Sequence, residues 1–261
     1  MRIRAFVAAC LFVAIAASAS AQQYPTDVKI DGFVGNVKEV NETMYEAKVA
    51  SDETMLRGDI MERLLTVYNS KGLRRSMTYL STEDSIIFRT RYKHDGFGLT
   101  TLEHIVDPNE MVIGRTYYVY DAKNVLKETY VEDAERQVEN RIRVFYDGAG
   151  RVSQRSYNDA ANEVFKRELY TYGPDNNVAK TVVYDREGNK IQEWRFEYDN
   201  HNQPVSQTLY DYTEQEVEVF FTLFKYEYDN HGNWIQKVEY NLDGDRLEPM
   251  YITDRQLEYY Q

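Results

Sequence analysis

Tyr146-Asp147-Gly148-Ala149-Gly150-Arg151-Val152 holds the key to the fold. A strand ends in Tyr, a residue able to hydrogen-bond its own turn follows, Gly stands four residues after the Tyr, and a second strand begins. A type I turn closing in a left-handed bulge needs such an arrangement. The same sentence recurs along the chain. Its anchors are Tyr68, Tyr92, Tyr120, Tyr146, Tyr172, Tyr198 and Tyr228, spaced 24, 28, 26, 26, 26 and 30 residues apart. The residues four further on are Gly72, Gly96, Asn124, Gly150, Asn176, Asn202 and Gly232. A fixed period of this length marks a repeat architecture.

Each unit reads as a β-hairpin. Before the turn the residues alternate with period two, as in Trp194, Phe196 and Tyr198 against Arg195 and Glu197. Most units reach a second Tyr ten to twelve residues later, as at Tyr130, Tyr157, Tyr184 and Tyr210. Residues 30–67 read as a degenerate first unit, within which 55–65 suit either a strand or one short helix. The repeats fill 68–245, and 246–261 supply a terminal strand. The expected fold is all-β: one antiparallel meander of about sixteen strands in successive ~26-residue hairpins, forming a curved, open or rolled sheet.

Residues 1–21 have the layout of a signal peptide. Arg2 and Arg4 precede an apolar run, and Ala19-Ser20-Ala21 stands before Gln22. The box Val7-Ala8-Ala9-Cys10 resembles a lipoprotein signal but lies too close to the basic front. The apolar run is shorter than a bilayer span. The mature chain, 22–261, is expected to form a single domain with no membrane span, located in the periplasm, at the outer surface or outside the cell. It lacks cysteine, and its 29 basic residues face 43 acidic ones. Nucleic acid is a poor partner for such a chain.

Tyr146-Asp147-Gly148-Ala149-Gly150, Tyr198-Asp199-Asn200-His201-Asn202 and Tyr226-Glu227-Tyr228-Asp229-Asn230-His231-Gly232-Asn233-Trp234 resemble the YD repeats of bacterial RHS-type proteins. The resemblance covers roughly 65–245. It implies long sheets of hairpins, and carbohydrate binding has been proposed for such repeats. Asn69, Lys93 and Gly173 stand where the repeat's Asp would, and no toxin-like extension follows. Small exported repeat proteins are the more fitting comparison.

Few residues suggest chemistry. His201 and His231 occupy equivalent turns about 10 Å apart if hairpins stack in order, too far for one metal; His94 also falls in a turn, two residues after its anchor Tyr92, and His104 is isolated. Asp243-Gly244-Asp245 lacks the ligand spacing of a calcium loop. No nucleophile-elbow, zinc-protease or phosphate-loop motif occurs. Neither a cofactor nor a catalytic residue is expected. The leading reading is a non-enzymatic binding or structural module at the envelope, its partner a polysaccharide or another envelope protein. The candidate ligand-binding rings are Trp194, Trp234, Tyr118, Tyr120, Tyr170, Tyr172, Tyr198, Tyr226 and Tyr228, because aromatic faces suit sugars. The alternatives are a carboxylate-based hydrolase and an outer-membrane β-barrel. Against the barrel, neither face of 152–157 is apolar.

Overall fold

The computed structural model describes residues 25–214 and 217–261, and of Asp243 the backbone alone. The expected signal peptide, 1–21, and Gln22 lie outside the described residues. A short helix α1 (Asp27–Ile30) precedes β1 (Val37–Val49), β2 (Met55–Tyr68), β3 (Arg74–Leu80), β4 (Ile86–His94), β5 (Thr100–Val106), β6 (Val112–Tyr120), β7 (Leu126–Asp133) and β8 (Val138–Tyr146). The second half contains β9 (Val152–Asp159), β10 (Val164–Tyr172), β11 (Val178–Tyr184), β12 (Lys190–Tyr198), β13 (Pro204–Asp211), β14 (Glu218–Tyr228), β15 (Trp234–Asp243) and β16 (Arg246–Tyr259). Residues 55–65 are strand, and the degenerate first unit is the hairpin β1–β2.

Every strand pairs antiparallel with its sequence neighbours, and β1 pairs with β16 from Val37↔Tyr259 to Glu46↔Tyr251. The sheet is therefore a closed barrel, which corrects the expected open or rolled sheet. Closure satisfies both edges of the meander at once.

The turns follow the expected chemistry. In the β6–β7 turn, Asp121 N–H donates to Val125 O at 2.9 Å, while Asp121 Oδ1 accepts from the N–H groups of Lys123 and Val125. Asn124 closes the turn at φ 58°, a left-handed conformation that Asn tolerates better than most residues. Asp147, Asp199 and Asp229 each collect two backbone N–H groups in the same way.

One repeat was misframed. The β4–β5 turn is built on Asp95, whose N–H donates to Leu99 O, and its left-handed residue is Gly98 at φ 85° rather than Gly96. His94, not Tyr92, therefore fills the anchor position. The anchors Tyr68, His94, Tyr120, Tyr146, Tyr172 and Tyr198 are then 26 residues apart throughout. The ladder of phenol bonds accounts for that constancy: Tyr120, Tyr146, Tyr172 and Tyr198 donate to the carbonyls of Thr100, Leu126, Val152 and Val178 at 2.7–3.0 Å. Each of these four phenols grips the start of the second strand in the preceding hairpin, so a change of period there would break the grip.

The segment around α1 identifies the inner wall. Asp27 meets His94 at the end of β4, and a methyl added at Gly32 would lie 3.9 Å from Gln203 between β12 and β13. Along the wall these points are seven strand spacings apart, about 34 Å. Six residues reach at most about 20 Å, so the segment cuts across the concave side. It forms a cap inside one mouth. The side chains it touches, Tyr68, Arg74, His94 and Arg255, face inward, and alternation with the cross-strand register extends the assignment to the other strands.

The core sits at this mouth. Val28, Phe33, Val37, Val40 and Tyr68 form the buried apolar cluster, with Leu257 and Tyr259 packed on it. Elsewhere much of the inner wall is half-covered, although inward Val144, Thr181 and Val183 are buried, and inward Phe220 is 49% exposed. A closed sheet with such a wall encloses a lumen accessible to water.

Candidate functional site: the capped lumen

The 26-residue period sets equivalent residues at equal depth. One layer of the inner wall consists of the facing pairs Tyr92↔Glu103, Tyr118↔Thr129, Val144↔Arg155, Tyr170↔Thr181, Phe196↔Gln207 and Tyr226↔Lys237. Rings, with Val144 in the place of one, thus alternate with polar or charged groups along the wall. Such a wall offers stacking faces and hydrogen bonds together.

The nine candidate rings all lie on this inner wall, but the fold leaves them unequally free. Trp234 is buried, with the Arg255 guanidinium 3.2 Å from its ring centre. Tyr228 donates to Asp199 and stacks on His201 at 4.2 Å. Tyr120, Tyr172 and Tyr198 are tied to carbonyls as described, and Tyr226 to Pro204 O at 2.8 Å. Tyr118 donates to Glu103, and Tyr170 to Glu168. Trp194 lies parallel to Phe196 with 6.4 Å between ring centres. The phenol oxygens are thus largely engaged in holding the wall, and ring faces are what a ligand would meet.

Sequence reasoning missed the charged groups among these rings. At the cap, Arg74 pairs with Asp31, which also accepts the Tyr68 hydroxyl, and Arg74 N–H donates to Asp27 at 2.6 Å. Burial together with Asp31 pushes the Tyr68 phenol far above its ordinary pKa. Arg255 pairs with Glu42 at 2.6 Å; burial, opposed by Glu42, lowers its pKa from the usual arginine value. Deeper in, burial raises the Glu103 carboxyl against the bond from Tyr118. Five strands along, on β10, Glu168 accepts from Lys166 at 2.8 Å and Tyr157 at 2.7 Å as well as from Tyr170. Alternation could have placed Arg155 and Arg255 on the aromatic face, since both share parity with inward rings.

His201 and His231 line one cleft of about 230 Å³ beside Phe33, Trp234 and Arg255. Each stacks on its own tyrosine, Tyr228 or Tyr259, and each lies 3.8 Å from its turn aspartate. Among the described residues no group of three or more His, Asp or Glu is arranged for a metal. His104 faces outward beside Arg91, its pKa lowered by burial and then by neighbouring cations.

The outer wall is of another character. Arg89 and Arg91 flank Glu110, and Arg141 and Arg143 flank Glu128. Arg195 projects beside Glu193 with its side chain 58% exposed. Charged groups thus stand within the strands as well as at their ends. No helix among the described residues is long and apolar enough to cross a membrane.

No family model and no curated protein matches the chain. Among solved structures it resembles a porin-like protein from Bacteroides uniformis ATCC 8492, with TM-score 0.56 and 10% identity, over 92% of this chain and 100% of that one. That likeness is one of fold. Structures of TcdB2-TccC3 also match, one over 81% of this chain but 14% of the other at 15% identity, with TM-score 0.34. That score is too low to support inference.

Proposed function

We propose that the protein is an exported envelope barrel that works through its lumen, taking up a glycan without catalysing its conversion. The closed sixteen-strand sheet and the porin-like neighbour favour the barrel alternative over an open binding module. The observation that carries the lumen reading is the inner wall itself, where half-covered rings alternate with groups such as Glu103, Thr129, Arg155 and Gln207. A ligand with apolar ring faces and many hydroxyls matches that alternation.

The likeness to a porin-like protein favours a second reading, insertion into the outer membrane. The outer wall weighs against it. An arginine facing lipid near the bilayer midplane costs about 2–4 kcal/mol, and Arg91, Arg115, Arg143, Arg167 and Arg195 all point outward from within strands. We therefore place the barrel in the aqueous envelope or outside the cell. Cell fractionation followed by detergent phase separation distinguishes the two. Release of folded protein without detergent is expected; recovery only from detergent-extracted outer membrane would reject the aqueous barrel. Binding to a polysaccharide panel, lost when Trp194 is replaced by Ala, would support the lumen reading.

A further inference from the structure

On the wall formed by β9, β10 and β11, three unlike groups converge. Arg155 faces inward, directly across from Val144 on one side and Glu168 on the other. Its guanidinium lies 5.7 Å from the centre of the Tyr170 ring. Tyr170 in turn pairs with Thr181, whose buried hydroxyl oxygen has no hydrogen-bond partner.

The charge on Arg155 lacks a contact anion. The other inward cations described above are paired: Lys166 with Glu168, Lys237 with Glu239, Arg74 with Asp31 and Arg255 with Glu42. Glu168 is the nearest candidate for Arg155, but Lys166, Tyr157 and Tyr170 already donate to it. Among the described residues no carboxylate lies within ion-pair distance of Arg155, and Tyr170, Tyr157 and Glu168 are the groups that act on its charge. A guanidinium left in this state can receive a carboxylate through two parallel hydrogen bonds. The Tyr170 ring beside it can meet a sugar face.

We propose that this wall is a subsite for a uronic acid residue, with Arg155 holding its carboxylate. The proposal rests on the lumen reading above and names the class of glycan. Glu103, four strands away on β5, bears the opposite charge, so an acidic sugar would be directed to the Arg155 side.

The test is calorimetric titration of the exported protein with trigalacturonate, triglucuronate and their methyl esters, which keep the shape and remove the charge. For at least one acid, affinity at least tenfold above that of its ester is expected, with Arg155→Gln binding both forms alike and Arg155→Lys intermediate. Equal binding of acid and ester, or a preference surviving in Arg155→Gln, would overturn the subsite while leaving the lumen reading intact. Failure of the acids, the esters and a neutral polysaccharide panel to bind would overturn both. If Arg155→Gln does not fold, the Arg155 Nε–H resonance of the native protein decides: it must shift with the acid and stay in place with the ester.

Discussion

The capped mouth and the wall beyond it are made from the same hairpins, yet they are stabilised differently. At the mouth Val37 and Val40 are 0% and 1% exposed, and the cap adds Phe33 and the Asp31–Arg74–Tyr68 contacts. Farther along, the rings are only half-covered, and the wall depends on strand pairing, turn chemistry and the tyrosine ladder. The clustered apolar core is thus at one mouth, and hydrogen bonding is spread over the rest. Damage at the mouth should therefore be costly at single residues, whereas damage to the wall should be small and repeated.

The sharpest test of this contrast is Asp31→Ala, which leaves Arg74 buried without its anion. A loss of about 3–5 kcal/mol is expected, read from the urea midpoint; a loss below 1 kcal/mol would show that the cap is dispensable. Phe33→Ala should cost about 3–5 kcal/mol and raise proteolysis between residues 25 and 36. On the wall, Tyr172→Phe removes a single phenol bond to Val152 O, with an expected cost of about 0.5–1.5 kcal/mol. The same change at Tyr146 and Tyr198 should add nearly independently, since each grips a different hairpin. Asn124→Ala should cost about 1 kcal/mol because of the left-handed backbone, and Asn124→Gly much less.

The smallest effect concerns acid. Asp121, Asp147, Asp185 and Asp229 have pKa values below the ordinary 3.8, with backbone N–H bonds among the causes in every case. For Asp229, burial pushes the other way and is outweighed by Tyr259, Asn233 and His231. A depressed folded pKa contributes stability that is full above the unfolded value and lost as pH falls through the folded one. Stability should therefore decline below about pH 4, and Asp229→Asn should flatten that decline. An unchanged slope would show that Asp229 contributes nothing to it.

Much of the wall was legible in the sequence, for a local reason. Period-two alternation, turn aspartates and left-handed Asn or Gly are each specified within a few residues. The strand count and the terminal strand followed from them. The second anchor was misplaced because Tyr92 and Gly96 mimic the spacing that His94 and Gly98 fulfil, and only the hydrogen bonds of Asp95 separate the two frames. Closure was not legible, because Val37 and Tyr259 are separated by almost the whole described chain. The cap was missed for the same reason. Asp27 and Asp31 look like ordinary surface acids until Arg74 and His94 are brought to them from distant strands. The candidate rings share one face through their alternation along the strands, whereas the lumen they line is a property of the closed sheet alone.

The pairing of β1 with β16 also sets an order of events. Hairpins between neighbouring strands can form as soon as both strands are free to pair, but the seam joins residues more than 200 apart and must wait for the last strand. Until then both edges of the sheet are open to other chains. Long-range closure of this kind is slow, so refolding should show a late phase that grows with any weakening of β16. Tyr260, whose hydroxyl donates to Tyr68 O at 2.8 Å across that seam, is a natural reporter of the final step.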